Sequence, residues 1–212
     1  MKLLKHVSAI CLCLATVNVS AAQKAVTDQG DVVILSDNGT WFYEQSNLAN
    51  DNKIKTNTAV FNKPASANFI LKSKTNNASV ALNSKEWTFA KGDGVDTAVE
   101  YNLSLKKGDL YARLITERIK LAPENLSNIA FENAKKVAPD LKLINKEYRV
   151  VNGHQVIYMV MAGTTQGIKF NFLGYYFSDQ SGSTQFVVFT SEDLVERYQT
   201  EISDILNGFS VQ

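Results

Sequence analysis

Apolar and polar positions alternate most clearly in the second half of the chain. Across residues 97–105, Val99, Tyr101, Leu103 and Leu105 fall on one face and Glu100, Asn102 and Ser104 on the other, the period of a half-buried strand. Lys106-Lys107-Gly108-Asp109 turns the chain into a long strand over 110–121, with a bend where the apolar phase slips. The period then changes. Pro123 opens a helix where its missing N–H is no loss; Leu126, Ile129, Ala130, Ala134 and Val137 recur at helical spacing until Pro139 stops it. Residues 141–151 form the next strand, and Asn152-Gly153 is a two-residue hairpin signal, because both residues tolerate positive φ. Strands at 154–164, 167–179 and 183–191 follow. The runs 156–161 and 170–177 are apolar on both faces, which predicts layers above and below this part of the sheet. A last helix is expected from Ser191. Glu192 and Asp193 sit at its positive end, and Leu194, Val195, Tyr198, Ile202, Ile205, Leu206 and Phe209 form its buried face.

The first half is less regular. Residues 23–45 read as a β-hairpin: Val32-Val33-Ile34-Leu35, a turn at Asp37-Asn38-Gly39, and the return strand Thr40-Trp41-Phe42-Tyr43. A lone hairpin is marginal in water, so it must pack on the main domain or on a partner. The stretch resembles a short Asp-Gly-Thr-Trp-type segment found near the start of exported bacterial proteins, a resemblance that implies no activity. Residues 46–84 are rich in Asn, Ser, Thr, Lys and Ala. Their apolar islands are short, at Val60-Phe61, Phe69-Ile70-Leu71 and Val80-Ala81-Leu82, and the stretch reads as a polar linker with room for an edge strand or two. That leaves 85–212 as the folded domain. Its strands are joined by short hairpins and its two helices are well separated in sequence, which predicts an α+β fold: an antiparallel sheet covered by helices in an α/β/α-type sandwich.

Residues 1–22 change the picture of where the protein works. Lys2 and Lys5 precede an apolar run over 7–19, and Ser20-Ala21-Ala22 supplies the small residues that a signal peptidase needs, so cleavage is expected before Gln23. The run has 13 residues, whereas a bilayer core needs about 20 in a helix, so no stable span is expected from it. Both cysteines, Cys11 and Cys13, lie inside the run, and neither follows the pattern that precedes a lipidated cysteine. The mature chain is then free of thiols, without disulfides, thiolate chemistry or cysteine metal sites, which suits a bacterial periplasm or the medium. Loss of Lys2 and Lys5 lowers the 22 cationic residues to 20 against 21 acidic ones, a net charge of −1. With no basic excess, nucleic acid is not expected as a partner. Four sequons, at Asn38, Asn77, Asn102 and Asn125, would matter only in a eukaryotic host.

Trp87 before the first strand of the domain, the helix after the second strand and the Asn152-Gly153 hairpin form one set of features. Gly174-Tyr175-Tyr176-Phe177, Thr190-Ser191-Glu192 and Ile205-Leu206-Asn207-Gly208-Phe209 complete it. In these features residues 85–212 resemble the fold shared by the photosystem subunit PsbP, the Ran-binding import factor Mog and the bacterial lipoprotein DcrB. Known members are mostly non-catalytic accessory or binding proteins, and the resemblance implies the same here; no Ran-binding or photosystem role is carried over, because a fold does not transfer a partner.

No residue stands out as catalytic, cofactor-binding or metal-binding. His154 is the one histidine of the mature chain and cannot build the usual zinc set without cysteines, so it reads as a polar strand-start residue. Asp93 and Asp96 in Lys91-Gly92-Asp93-Gly94-Val95-Asp96 lack the ligand spacing of a calcium loop. Glu192 and Asp193 are explained by the helix end, and Gly163-Thr164-Thr165-Gln166-Gly167 by a hairpin turn. Tyr175, Tyr176 and Trp41-Phe42-Tyr43 are the side chains best suited to recognition. The expected function is that of an exported, non-enzymatic accessory or binding protein of the bacterial envelope, with partner and oligomeric state open. Two alternatives stand beside it: a carboxylate-based envelope hydrolase with Glu100 and Glu117 converging in one pocket, and a carrier of a small apolar ligand held between sheet and helices.

Overall fold

The computed structural model describes residues 23–28, 30–36, 40–44, 54–94 and 98–212. The leader with Cys11 and Cys13, the turn at 37–39, Asp96 and the side chains of Phe42 and Tyr43 lie outside the described residues. At the N-terminal end, β1 (Gln23–Val26), β2 (Val32–Leu35) and β3 (Trp41–Tyr43) form a small antiparallel sheet. The expected pairing of β2 with β3 is present, with Leu35 opposite Trp41, and β1 adds a third strand with Gln23 opposite Leu35. This sheet docks through Gly30, whose carbonyl accepts from the Ala122 N–H at 3.1 Å and from Asn125 Nδ2 at 3.1 Å. Gly30 has φ +88°, and a Cβ there would lie 2.6 Å from the Ala122 nitrogen, so only glycine fits both the turn and the approach.

The next strands are β4 (Lys55–Phe61), β5 (Phe69–Lys72), β6 (Ala78–Leu82), β7 (Trp87–Lys91), β8 (Val99–Leu105) and β9 (Tyr111–Glu117). Helix α1 (Pro123–Val137) leads to β10 (Lys142–Val151), β11 (His154–Thr165), β12 (Ile168–Asp179) and β13 (Gly182–Ser191). A single 3-10 turn, Glu192–Leu194, precedes α2 (Gln199–Asn207) and β14 (Phe209–Val211). The main sheet has eight strands in the order β4-β10-β11-β12-β13-β9-β8-β7; all its pairs are antiparallel except β4 with β10.

The doubly apolar runs are covered on both sides. On one face Val156, Tyr158, Leu173, Tyr175 and Phe186 pack against Ile202, Ile205 and Leu206 of α2 and against Val80 and Leu82 of β6. On the other face Ile157, Met159, Met161 and Tyr176 pack against Leu126, Ala130 and Phe131 of α1. Successive side chains of one strand therefore serve two separate cores, which is why these strands lack a polar face. The fold is α+β, as the sequence predicts.

The room left for an edge strand or two in 46–84 is filled more fully than that: residues 54–84 supply β4 to the edge of the main sheet and β5 and β6 to a second sheet, ordered β14-β6-β5, that shares the cover of the first face with α2. Their polar composition is compatible with both roles. As an edge strand β4 is exposed along most of its length, and the small residues of β6 are buried on both sides. The main core thus draws on Leu71, Ala78, Val80 and Leu82 as well as on the residues after 84. Other boundaries also shift. Trp87, expected before the first strand, lies in edge strand β7; the strand expected over 110–121 ends at Glu117, and that over 97–105 begins at Val99 with a bulge between Val99 and Tyr101. Helix α1 spans the expected segment, but Val137 is 69% exposed and Phe131 is buried in its stead. The final helix begins at Gln199, eight residues after Ser191, and Phe209 belongs to β14. Leu194 and Val195 still reach the core from the turns that precede the helix.

The turn between β10 and β11 holds several of these pieces together. Asn152 and Gly153 have φ +48° and +86°, the two-residue hairpin geometry. The Asn152 N–H donates to the Phe61 carbonyl at 2.9 Å, and its Oδ1 accepts from the Lys63 N–H at 2.7 Å. Its Nδ2 donates to the carbonyls of Asn207 at 2.8 Å and Phe209 at 2.6 Å. One side chain thus joins the end of β4, the end of α2 and the start of β14.

Candidate functional site

Strand β10 turns Glu147, Arg149 and Val151 toward the α2 layer, since alternate residues share a face. Arg149 is an unusual occupant there. Its guanidinium carbon lies 3.4 Å from the centre of the Tyr158 ring and 4.5 Å from that of Phe61, and its Nε donates to Glu147 Oε1 at 2.6 Å. Asn57 Nδ2 donates to the same carboxylate oxygen at 3.0 Å. Asn57 and Phe61 both belong to β4, so the edge strand builds the seat of this arginine. The side chains of Arg149 and Glu147 are 17% and 16% exposed, and such a half-buried pair needs good geometry and further hydrogen bonds to offset the loss of water.

Beside this pair a pocket of about 220 Å³ opens between α2 and the sheet. Arg149, Tyr158, Tyr175, Gln199, Ser203 and Asn207 give it polar groups; Leu173, Val195, Ile202 and Leu206 give it an apolar wall. The Tyr175 hydroxyl donates to Asn207 Oδ1 at 2.9 Å, and Asn207 Nδ2 donates to Ser203 Oγ at 3.2 Å. With Nε committed to Glu147, the terminal nitrogens of Arg149 are left for the tyrosine hydroxyls beside them and for the pocket.

The ionisable groups around the pocket are pushed away from neutrality. Burial raises the Tyr158 hydroxyl to about 12, with Arg149 offsetting part of the effect, and burial likewise raises Tyr175. Burial acts against the charge of Arg149, but Glu147 and Tyr175 outweigh it and hold the guanidinium above its ordinary value. Burial also pushes the Glu147 carboxyl up, and the hydrogen bonds from Asn57 and Arg149 more than reverse this, leaving it below the usual range.

The residues singled out in the sequence fall elsewhere, apart from Tyr175. His154 begins β11 with its ring edge-on to Phe177, centroids 6.1 Å apart. Tyr176 is fully buried in the opposite core under α1. Trp41 is 57% exposed on the small sheet. Glu192 and Asp193 are exposed in the 3-10 turn, Glu192 lying 3.7 Å from Lys169 Nζ, and they do not open the helix. Of residues 163–167, Gln166 and Gly167 form the hairpin turn, with φ +51° and +80°, and the first three belong to β11. Glu100 and Glu117 are not brought together. Glu100 accepts from Ser73 Oγ, the Lys74 N–H and Thr116 Oγ1 at 2.6, 2.6 and 2.7 Å, so it shares the face of Thr116, whereas Glu117, the next residue of β9, projects from the other face and is exposed. Three donors make Glu100 a tie between β8, β9 and the loop after β5. Among the described residues no three His, Cys, Asp or Glu side chains converge, and no helix is long and apolar enough to cross a membrane.

The sequence reading missed Arg149, Glu147, Asn57 and Phe61. A signal was present: a basic and an acidic residue two apart, on the same strand face as Val151, in a strand that pairs with a doubly apolar one.

No protein-family model and no curated protein matches the chain. Solved structures do. Cyanobacterial PsbP (CyanoP) from Synechocystis sp. PCC 6803 aligns over 70% of this chain and 95% of its own, with 12% identity and a TM-score of 0.56. The fold is PsbP-like. Two further structures align over 68% of this chain at 9% identity: PA94 from Pseudomonas aeruginosa, of unknown function, over 99% of its own length with a TM-score of 0.44, and LpqN, involved in cell envelope biogenesis of Mycobacterium tuberculosis, over 90% with a TM-score of 0.48. The likeness to Mog and to the short exported-protein segment rests on the sequence alone. In this PsbP-like sheet the pocket lies between the central strands and α2, and its basic residue comes from β10, next to the edge.

Proposed function

We propose that the protein is an exported accessory protein of the bacterial envelope that acts by binding, without turnover. The observation that carries this reading is the Arg149 pocket, whose charged donor is fixed between two rings and a carboxylate before any ligand arrives. Fixing donors in advance lowers the cost of binding. A general acid or base works best with a pKa near the working pH; here the tyrosines and the arginine are raised and Glu147 is lowered, so each holds a single protonation state near neutrality. That supports recognition over proton transfer. The PsbP-like fold and the signal-peptide pattern of residues 1–22 support the envelope setting. The carrier reading survives in a narrower form: the cavity between sheet and helix exists, but it is small and half polar, so the ligand is small and polar at one end.

The test has two arms. Mass analysis of protein from the exported fraction should show a chain beginning at Gln23, and native mass spectrometry of the same material should show a bound molecule or partner that Ser203→Phe, which sets a bulky ring at the pocket's lining, fails to retain. Retention of residues 1–22, or measurable turnover on a panel of envelope polymers, would overturn the proposal.

A further inference from the structure

We infer that the Arg149 pocket is a site for a short monocarboxylate with an apolar tail. The inference rests on the binding reading above and names its ligand class. Four facts about the pocket lead there.

The first is its donor balance. Arg149, Tyr158 and Ser203 line the space, the terminal nitrogens of Arg149 are not committed to Glu147, and Oε1 of that carboxylate already accepts from Asn57 and from Arg149 Nε. A ligand must therefore bring acceptors, and a planar carboxylate fits the two terminal nitrogens of a guanidinium. The second is its charge. One guanidinium, partly offset by Glu147, suits a single negative charge; a phosphate dianion would need more cationic groups than line this cavity. The third is its wall. Leu173, Val195, Ile202 and Leu206 offer apolar contact along α2, where a hydrocarbon tail gains and a second charge loses. The fourth is its size. A volume of about 220 Å³ is of the order of the roughly 150 Å³ cavity that takes up benzene, which suits a carboxylate of four or five carbons. Arg149 is also rigid. Its ring sandwich and its bond to Glu147 fix the guanidinium, so little side-chain freedom is left to lose on binding.

Valerate and isovalerate are the probes, with isovaleramide and inorganic phosphate as controls, added to the mature protein from residue 23 and followed by tyrosine chemical shifts and by thermal melting. Saturable shifts of Tyr158 and Tyr175 with either acid, and none with the amide or phosphate, are expected. Removing the charge with Arg149→Gln should weaken binding about ten- to a hundredfold, the range for a charge-assisted hydrogen bond. Because that change also disturbs Glu147, Ser203→Phe provides a second variant that leaves the ion pair intact; it should lose binding while melting within a few degrees of the parent. The assignment falls if neither acid saturates, if amide or phosphate binds as well as the acids, or if Ser203→Phe binds unchanged. If the acids fail while the exported protein still carries a molecule that Ser203→Phe releases, the carboxylate assignment is wrong and the binding reading stands.

Discussion

Asn152 does more than close a hairpin. Its positive φ belongs to the turn, but its side chain accepts once and donates twice to backbone groups of three other segments. Asn152→Gly keeps the turn and removes those bonds; at about 0.5–1.5 kcal/mol each, the loss should be about 2–4 kcal/mol by urea denaturation. Asn152→Ala should cost about 1 kcal/mol more, because a Cβ is strained in the left-handed region. Glu147 gives a separate handle, through pH. Its folded-state pKa is depressed, so its stabilisation is fully present above the ordinary carboxylate value of 4.5 and is lost as pH falls through the lower, folded value. Melting curves from about pH 6 to about pH 3 should therefore show an acid-side decline that is shallower in Glu147→Gln, a variant that can still accept from Asn57.

Helix α2 is short, nine residues, and its stability comes from the face it buries and not from its length. Ile202 is buried against both sheets, whereas Glu196 lies exposed in the preceding turn. Ile202→Ala should cost about 2–5 kcal/mol and Glu196→Ala within about 0.5 kcal/mol. Equal melting temperatures for the two variants would mean that the helix is docked differently. The same contrast explains what could be read from the sequence. Strands β11 and β12 were legible because both faces are apolar, and α1 because Pro123 and Pro139 bracket a helical period. Strand β4 was not, because an edge strand needs neither alternation nor an apolar face. Strand β6 was not, because Ala78, Ser79 and Ala81 are small enough to be buried on both sides without looking like core. The pocket was hidden for the same reason as β4: Asn57 and Phe61, which seat Arg149, lie in the stretch that composition marks as a linker.

For the molecule as a whole, the second sheet makes β5 and β6 part of the core. Leu71, Val80 and Leu82 are buried against Trp87, Leu103 and Phe209. A fragment of residues 85–212 should therefore fail to melt cooperatively: it would expose several large apolar side chains, each worth about 1.5–3 kcal/mol, against a total stability of about 5–15 kcal/mol. Calorimetry of that fragment beside the chain from residue 54 checks this, and cooperative melting of the shorter one would show that the second sheet is dispensable. Strand β14 carries a consequence in time. It pairs with β6, placing Val211 opposite Ala78 and Phe209 opposite Val80 in the middle of the core. A growing polypeptide that has reached Gly208 still lacks the residue that fills this space, so this core closes only after Phe209 has been added. Any machinery that must handle this chain unfolded, whether a chaperone or a secretion channel, has the interval before that in which to engage it.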